Sequence, residues 1–167
     1  MPNDPLPPRA GEIRFPLDPG ALPGDARLVF IGRLRTPWTS RADCPRNGRL
    51  SEAICTVEVD APYRSALPGV DRASHLILLY WMHEARRDLA VQAPRHNVHP
   101  VPRGTFCVRS PVRPNPIALS AVELLGCDFA AGTLRVRGLD CLNGTPLLDI
   151  KPYFPSVDSR PDATVAE

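Results

Sequence analysis

The sequence is more informative at first for what it lacks. It contains no Gly-x-Gly-x-x-Gly opening a βαβ unit, no phosphate-cradling Gly-x-x-x-x-Gly-Lys loop, no Gly-x-Ser-x-Gly elbow and no Cys-x-x-Cys pair, so the common nucleotide, hydrolase and thiol-redox folds are disfavoured. The longest apolar run, Leu76 to Met82, falls far below the ~20 residues of a membrane-spanning helix, and no membrane anchor is expected. Twenty basic and 18 acidic residues leave a formal charge of +2, too small to demand a nucleic-acid partner by itself. Aromatic residues make up only 6%, which weighs against a platform that stacks single-stranded RNA. The five cysteines (Cys44, Cys55, Cys107, Cys127, Cys141) are an odd count without close spacing and follow no secretory leader. Reduced thiols in a cytoplasmic protein are expected rather than a disulfide framework.

What is present is enough apolar residue, 43% of 167, for one domain with a proper core. Seven of the 21 prolines fall within Met1–Pro23, which reads as a Pro-rich arm over residues 1–25, followed by a folded domain over 26–157 and a polar tail over 158–167. Strands are predicted at Leu28–Arg35, at Ile54–Val59, which alternates as a half-buried strand does, and at Ser74–Met82, which is apolar enough to line a closed barrel. Further strands are expected at Thr105–Val108, from Ile117 through Val122, at Thr133–Asp140 and at Leu147–Ile150, with Asn143-Gly144 as the strongest hairpin signal. One helical turn or two is expected at His83–Leu89. His96 and His99 stand three apart in a Pro-rich loop without a carboxylate or thiolate at ligand spacing, so no metal is expected. The sum is an all-β, or β-dominated, single-domain β-barrel with long loops rich in proline and arginine.

The stretch Arg103–Leu125 most looks built for a task. Pro111, Pro114 and Pro116 lack backbone N–H groups and fix φ, so the segment runs extended and leaves neighbouring amides and carbonyls without ladder partners. Arg109 and Arg113 project from this rigid loop. A guanidinium on a pre-ordered backbone suits a carboxylate, a phosphate or an aromatic face, although a solvated surface connection has the same composition. The polar loop Asp43–Gly48 is a second candidate ligand surface.

Phe106–Ser120 (FCVRSPVRPNPIALS) together with Asn143–Tyr153 (NGTPLLDIKPY) resembles the TsaA-like (YaeB-like) family, over a span of about Leu28 to Pro155. That family contains the TrmO-type, S-adenosylmethionine-dependent methyltransferases that methylate N6 of threonylcarbamoyladenosine beside the anticodon of tRNA. The resemblance implies a non-Rossmann β-barrel, a homodimer with the cofactor near the subunit interface, and a tRNA partner. It also implies cofactor contacts at Pro45, Arg46 and Asn47, at His83 and Glu84, at Arg109 with Leu119, and at Asn143, Gly144, Thr145 and Pro146.

Chemistry gives these positions work to do. Arg46 and Arg109 can pair with the methionine carboxylate or stack on adenine, and a tight turn at Gly144 lets a ligand approach the backbone. Methyl transfer from a sulfonium needs alignment rather than a covalent nucleophile, and a delocalised exocyclic nitrogen benefits from a hydrogen-bond acceptor at its N–H. Asp149 is the first candidate for that acceptor, Tyr153 the second, and Lys151 can orient Asp149 or hold a phosphate; a structural ion pair at a strand end is the alternative for these residues. Arg86, Arg87, Arg95, Arg103 and Arg113 form a candidate surface for the RNA backbone. Asn47, Glu84, Ala118 and Asn143 replace the family's usual Gln, Gln, Gly and Asp. A same-fold methyltransferase acting on another RNA or a small molecule, and a non-catalytic RNA-binding barrel, are the alternative functions.

Overall fold

The computed structural model describes residues 7–17, 27–93 and 101–165. Nine strands are formed among them: β1 (Ile13–Arg14), β2 (Gly32–Arg35), β3 (Ile54–Val59), β4 (His75–Trp81), β5 (Leu89–Gln92), β6 (Arg103–Gly104), β7 (Ile117–Asp128), β8 (Thr133–Arg137) and β9 (Thr145–Pro152), followed by the short helix α1 (Pro155–Asp158). Six of them close into a barrel in the order β2-β3-β8-β7-β4-β9, and the other three form a small sheet, β1-β5-β6. The β-barrel expected from the strand pattern is therefore the fold.

The barrel closes because its strands alternate. Leu34 on β2, Cys55, Val57 and Val59 on β3, Leu76, Leu78 and Tyr80 on β4, Leu134 and Val136 on β8, and Leu147 on β9 are all buried, while the residues between them face outward. Register stacks them in layers, since Leu34 pairs with Val57 and Val57 with Leu134. Burying each Leu or Val contributes about 1.5–3 kcal/mol. Gly32 on β2 is required by space: a Cβ there would lie 1.9 Å from the carbonyl oxygen of Glu58 on the paired strand.

The chain divides into two compact units. In one, Val29–Tyr80 and the residues from Leu119 onward hold most of the barrel. In the other, the described residues before Val29 join the described residues of Trp81–Ala118 around the small sheet. There Ile13 pairs with Val91 and Arg14 with Leu89, while Val91 also pairs with Gly104.

Four expectations about local structure are corrected. Asn143-Gly144 turns the chain but joins no hairpin, because β8 pairs with β3 and β7 whereas β9 pairs with β2 and β4. The tight hairpin lies instead between β7 and β8, around Gly132 at φ +73°. His83–Leu89 is not helical: a turn at His83-Glu84 leads into β5, because Asp88 is drawn to Arg86 and Arg14 and the next residues pair with β1 and β6. Thr105–Cys107 is a 3-10 turn rather than strand, since the Thr105 hydroxyl donates to the carbonyl of Leu89 at 2.6 Å and pulls the chain round. The strand predicted from Leu28 begins at Gly32, opposite Val59, the last residue of β3.

Candidate functional site

In the barrel unit, two sequence-distant segments are bound into one surface. The carbonyl of Trp38 accepts from the amide of Asn143 at 2.7 Å, the carbonyl of Leu34 accepts from Gly144 at 2.8 Å, and the Thr36 hydroxyl donates to the carbonyl of Cys141 at 2.8 Å. Asn143 Oδ1 accepts in return from the Thr36 amide at 3.3 Å. The loop containing Pro45, Arg46 and Asn47 reaches the same segment through Gly48, whose Cβ, were it present, would lie 1.9 Å from the Gly138 carbonyl oxygen. Thus the structure sets Gly48, the residue after Pro45–Asn47, against the segment that leads to Asn143–Pro146. Arg46, Asn47 and Asn143 are exposed and Thr145 is buried, its hydroxyl donating to the carbonyl of Leu142 at 2.7 Å. Leu119, on β7, is 46% exposed.

A polar link reaches the barrel core at Tyr80. The Tyr80 hydroxyl, 1% exposed as a residue, donates to Asp140 Oδ1 at 3.1 Å and lies 2.8 Å from Ser120 Oγ. With its own proton committed to the carboxylate, the phenol accepts from the serine. Burial first, then the Asp140 charge, pushes the phenol's pKa far up, so it remains a donor. The same two causes raise the thiol of Cys44.

Asp149, Lys151 and Tyr153 follow on the outward row of β9 and just beyond it. Lys151 Nζ pairs with Asp149 Oδ2 at 2.6 Å, both side chains about half exposed, while Asp149 Oδ1 accepts from the Ile150 amide at 2.9 Å. The Tyr153 ring lies tilted against His75, centroids 6.5 Å apart.

In the second unit, a buried amide shapes the Pro-rich loop. Gln92 Nε2 donates to Thr105 Oγ1 at 2.9 Å and to the carbonyl of Val112 at 2.6 Å, tying β5 to both ends of the segment that carries Arg109. Arg109 and Glu84 are exposed, and His83 Nε2 lies 3.9 Å from Glu84 Oε1. Three of the five arginines expected to follow an RNA backbone are occupied within this unit. Arg86 binds Asp88 through both carboxylate oxygens at 2.7 and 2.8 Å, Arg87 donates to the Pro114 carbonyl and stacks over Trp81, and Arg113 donates to the carbonyls of Val108 and Ser110. Arg103 is exposed, whereas Arg95, His96 and His99 lie outside the described residues. Among the described residues, no group of three or more His, Cys, Asp or Glu is arranged to hold a metal ion, and no helix is long and apolar enough to cross a membrane.

Comparison with known proteins identifies the family. Residues 33–159 match the family described as tRNA-methyltransferase O N-terminal domain. The chain belongs to this family. Relatives within reach include a probable S-adenosyl-L-methionine-binding protein VirR of Rhizobium radiobacter, 48% identical over 136 residues, covering 79% of this chain and 74% of that one. The tRNA (adenine(37)-N6)-methyltransferase of Escherichia coli is 35% identical over 144 residues, covering 81% of this chain and 61% of the enzyme. A crystal structure of TrmO from Pseudomonas aeruginosa is similar with a TM-score of 0.70 at 34% identity, over 87% of this chain and 62% of that one. The chain thus spans about three fifths of the length of these last two.

Within the tRNA-methyltransferase O family pattern, two of the departures have visible local roles. Asn47 Oδ1 accepts from the Arg49 amide at 2.9 Å and caps the 3-10 turn Gly48–Leu50, and Asn143 fastens its own turn to Thr36. The residues that hold these segments in place, Thr36, Tyr80, Ser120, Gln92 and Asp140, were not singled out by sequence. The one available signal was a Tyr at the end of an apolar strand, since a buried hydroxyl requires a partner.

Proposed function

We propose that this protein is an S-adenosylmethionine-dependent methyltransferase that methylates N6 of threonylcarbamoyladenosine beside the anticodon of tRNA. The observation that carries the reading is the family match over residues 33–159, joined to the close approach of Gly48, two residues after Arg46, to Gly138 on the segment that leads into the Asn143–Pro146 turn. The turn fits a ligand of this kind. Gly144 adopts φ +81° with no atom within 4 Å of where a Cβ would stand, so backbone is open to close approach, and the exposed Arg46 side chain has no ion pair among the described residues.

S-adenosylmethionine, when bound, supplies a methyl group already activated on a sulfonium. The chain's own residues then serve to hold and orient. In the barrel unit Arg46 is proposed to take the methionine carboxylate or an adenine face, with contacts from Pro45, Asn47, Leu119 and Asn143–Pro146; in the second unit Arg109 is proposed for the same kind of group, with His83 and Glu84 as contacts. Asp149 is proposed to accept the proton that leaves N6, with Lys151 holding its second oxygen and Tyr153 next along the same row. A half-exposed ion pair such as Lys151–Asp149 contributes only about 0–1 kcal/mol, so it opens readily to a substrate.

The proposal includes a homodimer with the cofactor near its interface, acting in the cytoplasm where tRNA is modified. Adjacent apolar side chains left exposed at Val29 and Phe30 support a second copy, and sedimentation tests it. Titration calorimetry with S-adenosylmethionine tests the cofactor: saturable micromolar binding, weakened in Arg109→Ala, is expected, and an intact protein that does not bind contradicts the proposal.

A further inference from the structure

The contacts proposed for the methionine end of the cofactor are one-sided. An amino-acid zwitterion presents a carboxylate and an ammonium, and Arg46 and Arg109 answer only the first. Asp140 has what the second needs. It is half-buried, one oxygen is held by the buried Tyr80 phenol at 3.1 Å, and it makes no ion pair among the described residues. Among the described residues, Tyr80 is the side chain that donates to it, and the bond goes to Oδ1. It also follows Gly138 and Leu139, where the loop of Arg46 packs, and precedes the Asn143–Pro146 turn by three residues. A half-buried carboxylate without a cation is costly unless a ligand brings one. Glu84, the other carboxylate among the proposed contacts, is 59% exposed at its side chain and so lies where water screens its charge.

We infer that Asp140 is a cofactor-binding residue that accepts a hydrogen bond from the α-ammonium of the methionine moiety, and that Tyr80, backed by Ser120, is the residue that positions it. The inference rests on the cofactor reading above and adds a named contact to it. Tyr80 suits the role because its ring is fixed in the barrel core and its raised pKa keeps it a donor, so the hydrogen bond to Asp140 Oδ1 comes from a fixed point. The sulfonium offers no hydrogen bond, and the ribose carries no charge; the ammonium alone supplies both.

Two product-like ligands separate these groups. S-adenosylhomocysteine carries the ammonium, and 5′-methylthioadenosine has the same adenine, ribose and thioether without it. Calorimetric titration of the full chain, the Asp140→Asn variant and the Tyr80→Phe variant with both ligands is the test. Asp140→Asn is expected to weaken S-adenosylhomocysteine about tenfold to a hundredfold, the range of one charge-assisted hydrogen bond, and to leave 5′-methylthioadenosine unchanged. Tyr80→Phe is expected to weaken the first ligand by a smaller factor and again spare the second, whose binding also reports that each variant is folded. Equal weakening of both ligands, or unchanged binding of S-adenosylhomocysteine in either variant, overturns the inference while leaving the cofactor reading intact. A wild-type protein that binds neither ligand overturns both.

Discussion

Gly48 and Gly138 meet backbone to backbone, so closely that a Cβ on Gly48 would lie 1.9 Å from the Gly138 carbonyl oxygen and 3.1 Å from the Leu139 amide. Neither atom can step aside as the end of a flexible side chain would. The contact fixes the distance between the loop of Arg46 and the segment that leads to Asn143. Gly48→Ala is therefore predicted to force the two apart, lowering stability by about 1–3 kcal/mol in urea unfolding and weakening S-adenosylmethionine at the same time. Gly144→Ala, by contrast, meets no atom but must hold φ +81°, and should cost about 1–2 kcal/mol through backbone strain alone.

The Gln92 amide makes a second prediction. Gln92→Leu leaves the Thr105 hydroxyl with one partner fewer and the Val112 carbonyl without its donor, at a cost of about 1–3 kcal/mol. Amide hydrogen exchange should rise over residues 105–113 and remain unchanged in β3 and β8. A variant that exchanges uniformly faster across the chain would show that Gln92 stabilises the whole fold rather than this loop.

Thiol reactivity should follow burial. Cys107 is exposed, whereas burial pushes Cys55 up to about 11 and Cys141 up to about 12, with Asp140 and Cys55 adding to the rise at Cys141. At pH 8, iodoacetamide should modify Cys107 first and leave Cys55 and Cys141 untouched until denaturant is added. Mass spectrometry of the peptides reads this directly, and early modification of Cys141 would contradict the barrel interior described here.

Acid should loosen the small sheet through Asp88. The two hydrogen bonds from Arg86 hold its carboxyl below the ordinary range, more than burial raises it, and Arg14 adds its charge from β1. A depressed carboxyl contributes stability that is present above its unfolded pKa of about 3.9 and is lost as pH falls through the lower folded value. Wild type should therefore lose more stability between pH 5 and pH 2, values chosen about that pKa, than Asp88→Asn does. Parallel curves for the two proteins would remove Asp88 from the account.

The barrel was legible because its core is written in alternation: Cys55, Val57 and Val59, or Leu134 and Val136, can face only one side of a strand. Partnership was not legible in the same way. Asn143-Gly144 looks like a hairpin between its flanking strands, yet β8 and β9 each had better partners far away in sequence. β5 was hidden because the charged run Arg86-Arg87-Asp88 resembles an exposed helical turn until Asp88 is seen bound by Arg86 and Arg14. The candidate site divides similarly. Local motifs named Arg46 and the Asn143–Pro146 turn, whereas the link from Tyr80 to Asp140 spans 60 residues and leaves no local pattern.

Transfer of the methyl group itself is the most direct test. The purified protein is incubated with methyl-labelled S-adenosylmethionine and tRNA that carries threonylcarbamoyladenosine beside the anticodon, and the digested nucleosides are resolved by mass spectrometry. The account predicts label on N6 of that nucleoside, absent from tRNA lacking the threonylcarbamoyl group and greatly reduced with Asp149→Asn. Unmodified tRNA from a protein shown to bind the cofactor would contradict the proposed acceptor.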